Sequence, residues 1–179
     1  MTKKPLAFID IETTGFSPKK HEIIEFAGIK ALPDSEEVEI LELRIRPKHI
    51  ETASQQALKI VGYNEEAWED AIELEDAIKQ IVDFLRGCIL VGHSVRFDCN
   101  FIKKNALEHR AGLIPLRTID TLDLAKRYLE PKGLTKFGLA GACTFLGISN
   151  ANAHTAMADA FRCKQVYDRI MGDFVNDDE

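Results

Sequence analysis

The order of strand-like and helix-like segments limits this chain to a small set of folds. Three segments of β character come first, at 6–12, 23–31 and 38–46, with turn residues between them. Helical periodicity follows, interrupted by short apolar runs at 88–91 and 116–119. Short apolar runs between helices are typical of buried strands in a sheet that is covered on both faces. The pattern therefore predicts an α/β sandwich with a mixed sheet of five strands, of which the first three form an antiparallel meander.

Apolar periodicity, together with the glycines and prolines that end it, predicts the helices. They are expected at 52–61, 69–86, 97–111, 122–128, 134–146 and 155–171. The chain of 179 residues is long enough for a single core that buries roughly 70% of the unfolded surface. No repeat or linker divides it, so we predict one domain over residues 1–172, followed by an acidic C-terminal tail over residues 173–179.

Composition and charge exclude several classes of protein. A formal net charge of −6 argues against a protein that coats nucleic acid through bulk electrostatics, but not against an enzyme that holds only a chain end. No apolar run has the length of a membrane span, and no signal-peptide pattern precedes the first strand, so we expect a cytoplasmic protein without a membrane partner. The four cysteines are scattered in apolar surroundings and are expected to be reduced core residues.

The first strand ends in two carboxylates, Asp10 and Glu12, before the turn residues Thr13, Thr14 and Gly15. Residues i and i+2 of a strand share a face, so the two side chains should project together. Neighbouring like charges raise each other's pKa unless a cation lies between them. The pair is therefore either a half-site for a divalent ion or two solvated acids at the end of a strand.

Two later segments also place acids at the start of a predicted helix. Asp98 follows Gly92, His93 and Ser94, where it either serves a ligand site or only complements the helix dipole. His154 and Asp159 enter the last helix and lie roughly 140° apart on an ideal helix. They can share a site only if His154 lies on the preceding loop; a histidine there is otherwise expected to face solvent.

Together, these segments resemble the DEDDh 3′–5′ exonuclease family, which includes the exonuclease domain of the DNA polymerase III epsilon subunit, here as a free-standing domain. The resemblance covers nearly the whole chain and rests on three motifs in the family's order: Asp10-x-Glu12-Thr13-Thr14-Gly15, Gly92-His93-x-x-x-Phe97-Asp98 and His154-x-Ala156-x-x-Asp159. It implies a ribonuclease H-like three-layer sandwich with helices on both faces of the sheet. Ser94 departs from the pattern, because many relatives have asparagine after the histidine.

The resemblance also implies the chemistry of the site. Two divalent ions, Mg²⁺ or Mn²⁺, would be held by Asp10, Glu12, Asp98 and Asp159, since hard ions prefer oxygen ligands. In the family pattern Asp10 bridges the ions, Glu12 and Asp159 complete the site for the ion that holds the attacking water, and Asp98 holds the second ion largely through water. His154 would be the general base, because histidine titrates near neutral pH.

Further family positions predict contacts with the substrate. Backbone groups of Thr13 and Thr14 are expected at the terminal 3′-OH, and Phe16 and Ile60 against the terminal bases. Ile60 is alternatively a core residue. His93 and Ser94 are expected either to contact phosphate or to cap the helix that carries Asp98.

The predicted activity is hydrolysis at nucleic-acid 3′ ends, with release of nucleoside 5′-monophosphates. DNA that is single-stranded or frayed is favoured as substrate, and an exoribonuclease acting on RNA 3′ ends is the alternative. A non-catalytic nucleic-acid-binding module is a third hypothesis, which predicts the loss of at least one of the four acids or of the histidine; all five are present. A polymerase partner is compatible with the resemblance, but no pattern identifies a partner or an oligomeric state.

Overall fold

A computed structural model describes residues 3–33, 35–151 and 153–175. Its centre is a mixed sheet of five strands in the order β3-β2-β1-β4-β5. The pairs β1–β2 and β2–β3 are antiparallel, and β1–β4 and β4–β5 are parallel. The strands are β1 Leu6–Thr13, β2 Ile23–Ala31, β3 Val38–Arg44, β4 Ile89–Gly92 and β5 Thr118–Asp120. The predicted mixed sheet and its N-terminal meander are confirmed, and β1 is the central strand.

Helices cover both faces of this sheet. They are α1 Gln55–Val61, α2 Leu74–Leu85, α3 Arg96–Glu108, α4 Thr121–Tyr128, α5 Leu139–Phe145 and α6 Ala156–Ile170. Two 3₁₀ turns lie at Ile50–Thr52 and Glu130–Lys132, and a π-helical turn lies at Met171–Val175. The predicted acidic tail thus begins within this turn at residue 173, and its residues 176–179 lie outside the described residues.

The alternation of side chains along β1 explains the two layers of core. Ala7, Ile9 and Ile11 point to one face and join the cluster that contains the apolar residues of α2 and α3. Phe8 points to the other face and packs with Ala160 and other residues of α6. Because both faces of β1 are covered by helices, the strand is apolar on both faces until Asp10 and Glu12.

Two predicted helices begin five residues later than expected, for reasons of tertiary structure. Residues 69 and 70 lie in a turn, and Ile72 pairs with the chain at the end of β3: its N–H donates to the Arg44 carbonyl and its carbonyl accepts from the Arg46 N–H. Residues 134–138 precede α5, and the Phe137 carbonyl accepts a hydrogen bond from the His93 ring. In both places a long-range hydrogen bond replaces the first turn of the predicted helix.

Two other expectations concern the chain as a whole. The four cysteines are free; three are buried and Cys99 is half-buried, as predicted for reduced core residues. Among the described residues, no helix has the length and apolar character needed to cross a membrane.

Candidate active site

Three carboxylates meet where the carboxyl-terminal half of β1 faces the start of α6. One oxygen from each of Asp10, Glu12 and Asp159 lies within 4.8 Å of the other two, and we call these three residues the acid cluster. Asp10 and Glu12 project to the α6 face because they alternate with Ile9 and Ile11. Within residues 3–33, 35–151 and 153–175, this is the only group of three or more side chains arranged to hold a metal ion.

Two capping interactions hold the start of α6 against the sheet. The hydroxyl of Thr155, the N-cap residue, accepts a hydrogen bond from the Ala158 N–H at 3.3 Å. The Ala156 N–H donates to Oε2 of Glu25 at 3.2 Å. Glu25 is paired with Glu12 across β1 and β2, so the same strand pair orients both a member of the acid cluster and the helix that brings Asp159.

Asp98 approaches β1 from the opposite side, at the first turn of α3. The β1–β4 pairing ends at Phe8, which leaves the next part of β1 without a strand partner on that side. Oδ1 of Asp98 accepts a hydrogen bond there from the Ile11 N–H at 3.1 Å, and the side chain is buried. Asp98 therefore does more than complement the helix dipole, since it joins α3 to the strand that carries Asp10 and Glu12.

The protein alone leaves the charges of these acids poorly compensated. Burial, followed by the charges of Asp98, Asp159 and Glu12, raises the pKa of Asp10 well above its ordinary value. Burial and the neighbouring carboxylate of Asp159 raise the pKa of Glu12 to about 7. Burial likewise raises the pKa of Asp98 to about 8, although the hydrogen bond from Ile11 acts in the opposite direction. Ionised carboxylates at this density require added positive charge.

A divalent cation fits this donor set. The ligand atoms of the acid cluster are all carboxylate oxygens, which hard ions such as Mg²⁺ and Mn²⁺ prefer. Cysteine and histidine side chains, the usual zinc ligands, contribute nothing to the cluster. The residues present can therefore hold a hard divalent ion.

His154 lies on the loop before α6, in the position that allows it to share a site with Asp159. Its backbone is left-handed, with a φ of 74°, and its N–H donates to Oδ1 of Asp159 at 3.4 Å. The side chain is exposed. The structure thus brings the His154 backbone to the acid cluster and leaves the imidazole in solvent.

The turn after β1 uses most of its polar groups internally. The Thr14 N–H donates to the Glu22 carbonyl at 2.9 Å, and the Thr14 carbonyl accepts from the Ser54 N–H at 2.8 Å. Its hydroxyl accepts from the Glu22 N–H, and the Thr13 hydroxyl donates to the Gly15 carbonyl at 2.8 Å. Gly15 is required by a close approach, because a Cβ atom there would lie 2.6 Å from the His21 ring.

Two apolar side chains stand in solvent near this turn. Phe16 follows it directly and is 86% exposed; Ile60 lies on α1 and is 47% exposed. The hydrogen bond from Ser54, the N-cap residue of α1, to Thr14 joins the two segments. Ile60 is therefore not a core residue, and the alternative prediction for it was wrong.

His93 and Ser94 form hydrogen bonds within the protein that the sequence did not predict. The His93 Nε2–H donates to the Phe137 carbonyl at 2.8 Å, which leaves Nδ1 to face the Thr121 hydroxyl at 3.0 Å. Ser94 has a φ of 67°, and its N–H donates to Oδ1 of Asp120 at 2.8 Å. Neither side chain caps α3. Asparagine tolerates the left-handed conformation well, which gives a physical reason for its frequent occurrence at this position in relatives.

Sequence reasoning missed two residues that complete the surroundings of the acid cluster. Arg162, one turn after Asp159 on α6, is buried and forms an ion pair with Oδ1 of Asp159. Asn150, on the loop between α5 and α6, accepts a hydrogen bond from Arg162 at 2.7 Å. The i, i+3 spacing of Asp159 and Arg162 was a visible signal, but such pairs are commonly exposed and weak.

A ribonuclease H-like sheet with Asp10 and Glu12 on its central strand, and with Asp98 and Asp159 at two helix starts, defines a class of metal-dependent nucleases. The comparisons with known proteins identify the family within it. The family model RNase_T, described as Exonuclease, matches residues 7–167. The chain belongs to this exonuclease family, whose members depend on divalent metal ions.

Individual relatives agree with this assignment. The chain is 24% identical to the DNA polymerase III subunit epsilon of Aquifex aeolicus over 163 residues, which cover 91% of this chain and 78% of that protein. It is 30% identical to the PolC-type DNA polymerase III of Thermotoga petrophila over 164 residues, 91% of this chain but only 12% of the polymerase. The chain thus spans about a tenth of the length of its PolC-type relatives.

Solved structures share the fold. The chain superposes on the E. coli exonuclease I–ssDNA complex in its zinc-bound form with a TM-score of 0.82 and 21% identity, covering 96% of this chain and 41% of that one. For exonuclease I of Methylocaldum szegediense the TM-score is 0.79 at 21% identity, with 95% and 40% covered. The predicted ribonuclease H-like sandwich is confirmed.

Proposed function

We propose that the chain is a metal-dependent 3′–5′ exonuclease that acts in the cytoplasm on single-stranded or frayed DNA ends and releases nucleoside 5′-monophosphates. The observation that carries this proposal is the acid cluster, in which three carboxylates lie within 4.8 Å of one another. The cluster lies in a chain of the exonuclease family. DNA is favoured over RNA because the relatives are named as DNA polymerases and one structural neighbour is a complex with ssDNA. The free cysteines fit a reducing compartment.

Following the family pattern, we propose that Asp10, Glu12, Asp98 and Asp159 would hold two divalent ions, Mg²⁺ or Mn²⁺. Glu12 and Asp159 would serve one ion, Asp98 would serve the other from the α3 side, and Asp10 would serve both. Bound ions supply the positive charge that stabilises the attacking and leaving oxygens of an in-line phosphodiester displacement. The raised pKa values of Asp10, Glu12 and Asp98 support this assignment, because the protein alone does not compensate these carboxylate charges and a bound cation would.

His154 is the proposed general base. Its loop position and the bond from its N–H to Asp159 place the residue beside the acid cluster. Rotation about its side-chain bonds, or a movement of the loop, brings the imidazole from solvent to the attacking water, whose proton a ring nitrogen then accepts. The exposed position in the free protein leaves the ring able to make this movement.

Substrate contacts are proposed on the same face. Phe16 and Ile60 are exposed apolar side chains on two connected segments, so they can pack against the terminal bases without reading sequence. Thr13 and Thr14 are the proposed seat of the 3′ end, although the Thr14 N–H and carbonyl are already hydrogen-bonded within the protein. Ser94 is a candidate phosphate contact. His93 has a structural role instead, since both of its ring nitrogens face protein groups.

The experiment is an assay of 3′-end shortening. Matched DNA and RNA oligonucleotides with 5′ labels are incubated with Mg²⁺ or Mn²⁺ and the wild type, Asp10→Asn or the exposed control variant Glu65→Gln. We expect a ladder of shortened DNA with the wild type and the control, and none with Asp10→Asn. Shortening of RNA alone would identify an exoribonuclease. Binding without shortening of either would refute the proposal in favour of a non-catalytic module.

A further inference from the structure

The buried guanidinium of Arg162 connects the acid cluster to a distant helix. Its Nη2 pairs with Oδ1 of Asp159, and its Nη1 donates to Oδ1 of Asn150 at 2.7 Å. Only 4% of the residue is exposed, so it cannot swing into solvent as a surface arginine does. A planar guanidinium that is bound at two nitrogens has one fixed orientation.

Asn150 is in turn fixed to α5. Its Nδ2 donates to the Ala140 carbonyl at 3.1 Å and to the Thr144 hydroxyl at 3.0 Å. A continuous series of hydrogen bonds therefore runs from α5 through Asn150 and Arg162 to Asp159. The His154 N–H also donates to Asp159, so the series ends at the residue that contacts the proposed general base.

Stability alone does not explain why Arg162 lies there. Its Nε–H is buried and has no acceptor among the described residues. A buried donor without a partner destabilises the folded state. The position of the guanidinium is thus set by its two other contacts, one of which is a proposed metal ligand.

The effect of these contacts is to orient the carboxylate of Asp159. Both donors that reach it, the Arg162 guanidinium and the His154 N–H, bind the same oxygen, Oδ1. No described residue donates a hydrogen bond to Oδ2. A carboxylate held at one oxygen keeps the other directed to a fixed point, as outer-shell partners do for metal ligands.

We propose that Arg162 and Asn150 are positioning residues of the exonuclease site: Arg162 orients Asp159 for the metal ion, and Asn150 holds Arg162 in one arrangement. This inference rests on the proposed function. It differs from a simple electrostatic role, in which Arg162 only neutralises nearby acids and any cation at that position would serve.

Arg162→Lys separates orientation from charge, because lysine keeps the positive charge but lacks the planar fork. Binding of Mn²⁺ to the nucleic-acid-free protein is measured by titration calorimetry, with melting temperature as the check on folding. The control is Arg169→Lys, an exposed position on the same helix that pairs with Asp173 at 3.7 Å. We expect Mn²⁺ affinity to fall about tenfold in Arg162→Lys and to stay at the wild-type value in the control. Wild-type affinity in Arg162→Lys would overturn the orienting role.

Asn150→Ala tests the link from α5 to Arg162 without changing any charge. We expect kcat on a labelled DNA oligonucleotide to fall about tenfold, with KM within about twofold, because Asn150 is not placed against the substrate. In an Arg162→Lys background the same substitution should cause no further loss of kcat. Multiplicative losses in the double variant would show that Asn150 does not act through Arg162 and would overturn that part of the proposal.

The two experiments keep this proposal separate from the proposed function. If the wild type shortens neither DNA nor RNA, the exonuclease assignment fails. The Mn²⁺ titration still reports whether Arg162 orients Asp159, since it needs no substrate.

Discussion

Replacing Glu12 by glutamine should stabilise the metal-free protein, and the gain should depend on pH in a defined direction. Burial and Asp159 raise the pKa of Glu12 from 4.5 to about 7 in the folded state. The folded protein therefore binds this proton more tightly than the unfolded chain does. The associated stability is fully present below about pH 4.5 and is lost as the pH rises through about 7.

The size of the effect follows from the same pKa values. At 1.36 kcal/mol per pKa unit, the rise from 4.5 to about 7 corresponds to about 3 kcal/mol lost once Glu12 is ionised. This is an upper value, because Glu12 retains some contact with water. Glutamine carries no charge at any pH, so Glu12→Gln should exceed the wild type by less than about 1 kcal/mol at pH 5 and by up to about 3 kcal/mol at pH 9. For a protein of this size that gain raises Tm by roughly 6–12 °C.

The assay is thermal unfolding followed by circular dichroism in EDTA at pH 5, 7 and 9. Glu65→Gln, which changes an exposed glutamate in a turn, is the control and should not alter the pH profile. With excess Mn²⁺ at pH 8 the wild type should gain more Tm than Glu12→Gln, because the ion binds the ionised carboxylate. An equal gain for Glu12→Gln at pH 5 and pH 9, or a loss at pH 9, would refute the electrostatic reasoning.

Three further substitutions test other parts of the structure. Asp98→Asn should lower exonuclease activity at least about a hundredfold, yet the metal-free variant should resist urea at least as well as the wild type, because the amide removes the cost of burying an acid and its oxygen still accepts the Ile11 N–H. Asp98→Ala leaves that donor unpaired and should be about 1–3 kcal/mol less stable than Asp98→Asn. Ser94→Asn should raise the free energy of unfolding by a fraction of the roughly 1–2 kcal/mol that a left-handed backbone costs, and a loss would mean that the serine hydroxyl matters more. Gly15→Ala should lower that free energy by about 1–3 kcal/mol because its Cβ meets an imidazole at 2.6 Å, whereas Gly138→Ala, with nothing within 4 Å, should not.

The site could be predicted from the sequence to the extent that it depends on local geometry. The two-residue period of β1 placed Asp10 and Glu12 on one face, and the structure finds them there with Asp159. The position of His154 before the last helix was also predictable, because an ideal helix would have separated it from Asp159. The sequence left two alternatives for the His154 side chain, a place in the site with Asp159 or a position in solvent, and the imidazole lies in solvent.

What escaped prediction depends on contacts between distant segments. The start of α2 is delayed by the pairing of Ile72 with β3, and no local pattern encodes that pairing. Both nitrogens of His93 face groups far along the chain, Thr121 and Phe137. The residues around His93 in the sequence therefore could not indicate that its ring is unavailable to phosphate. The importance of Arg162 depends on the packing of the Asn150 loop, which no spacing along α6 could reveal.

The anchoring of α6 to the central strands ties the proposed activity to the synthesis of α6. The hydrogen bond from the Ala156 N–H to Glu25 spans 131 residues, and Asp159 follows it directly. A ribosome makes Asp10 and Glu12 first and the start of α6 much later. While it is being made, the nascent chain carries only part of its acid cluster. A fragment that stops before α6 lacks Asp159 and Arg162, so it would lack the proposed activity toward the nucleic acids around it.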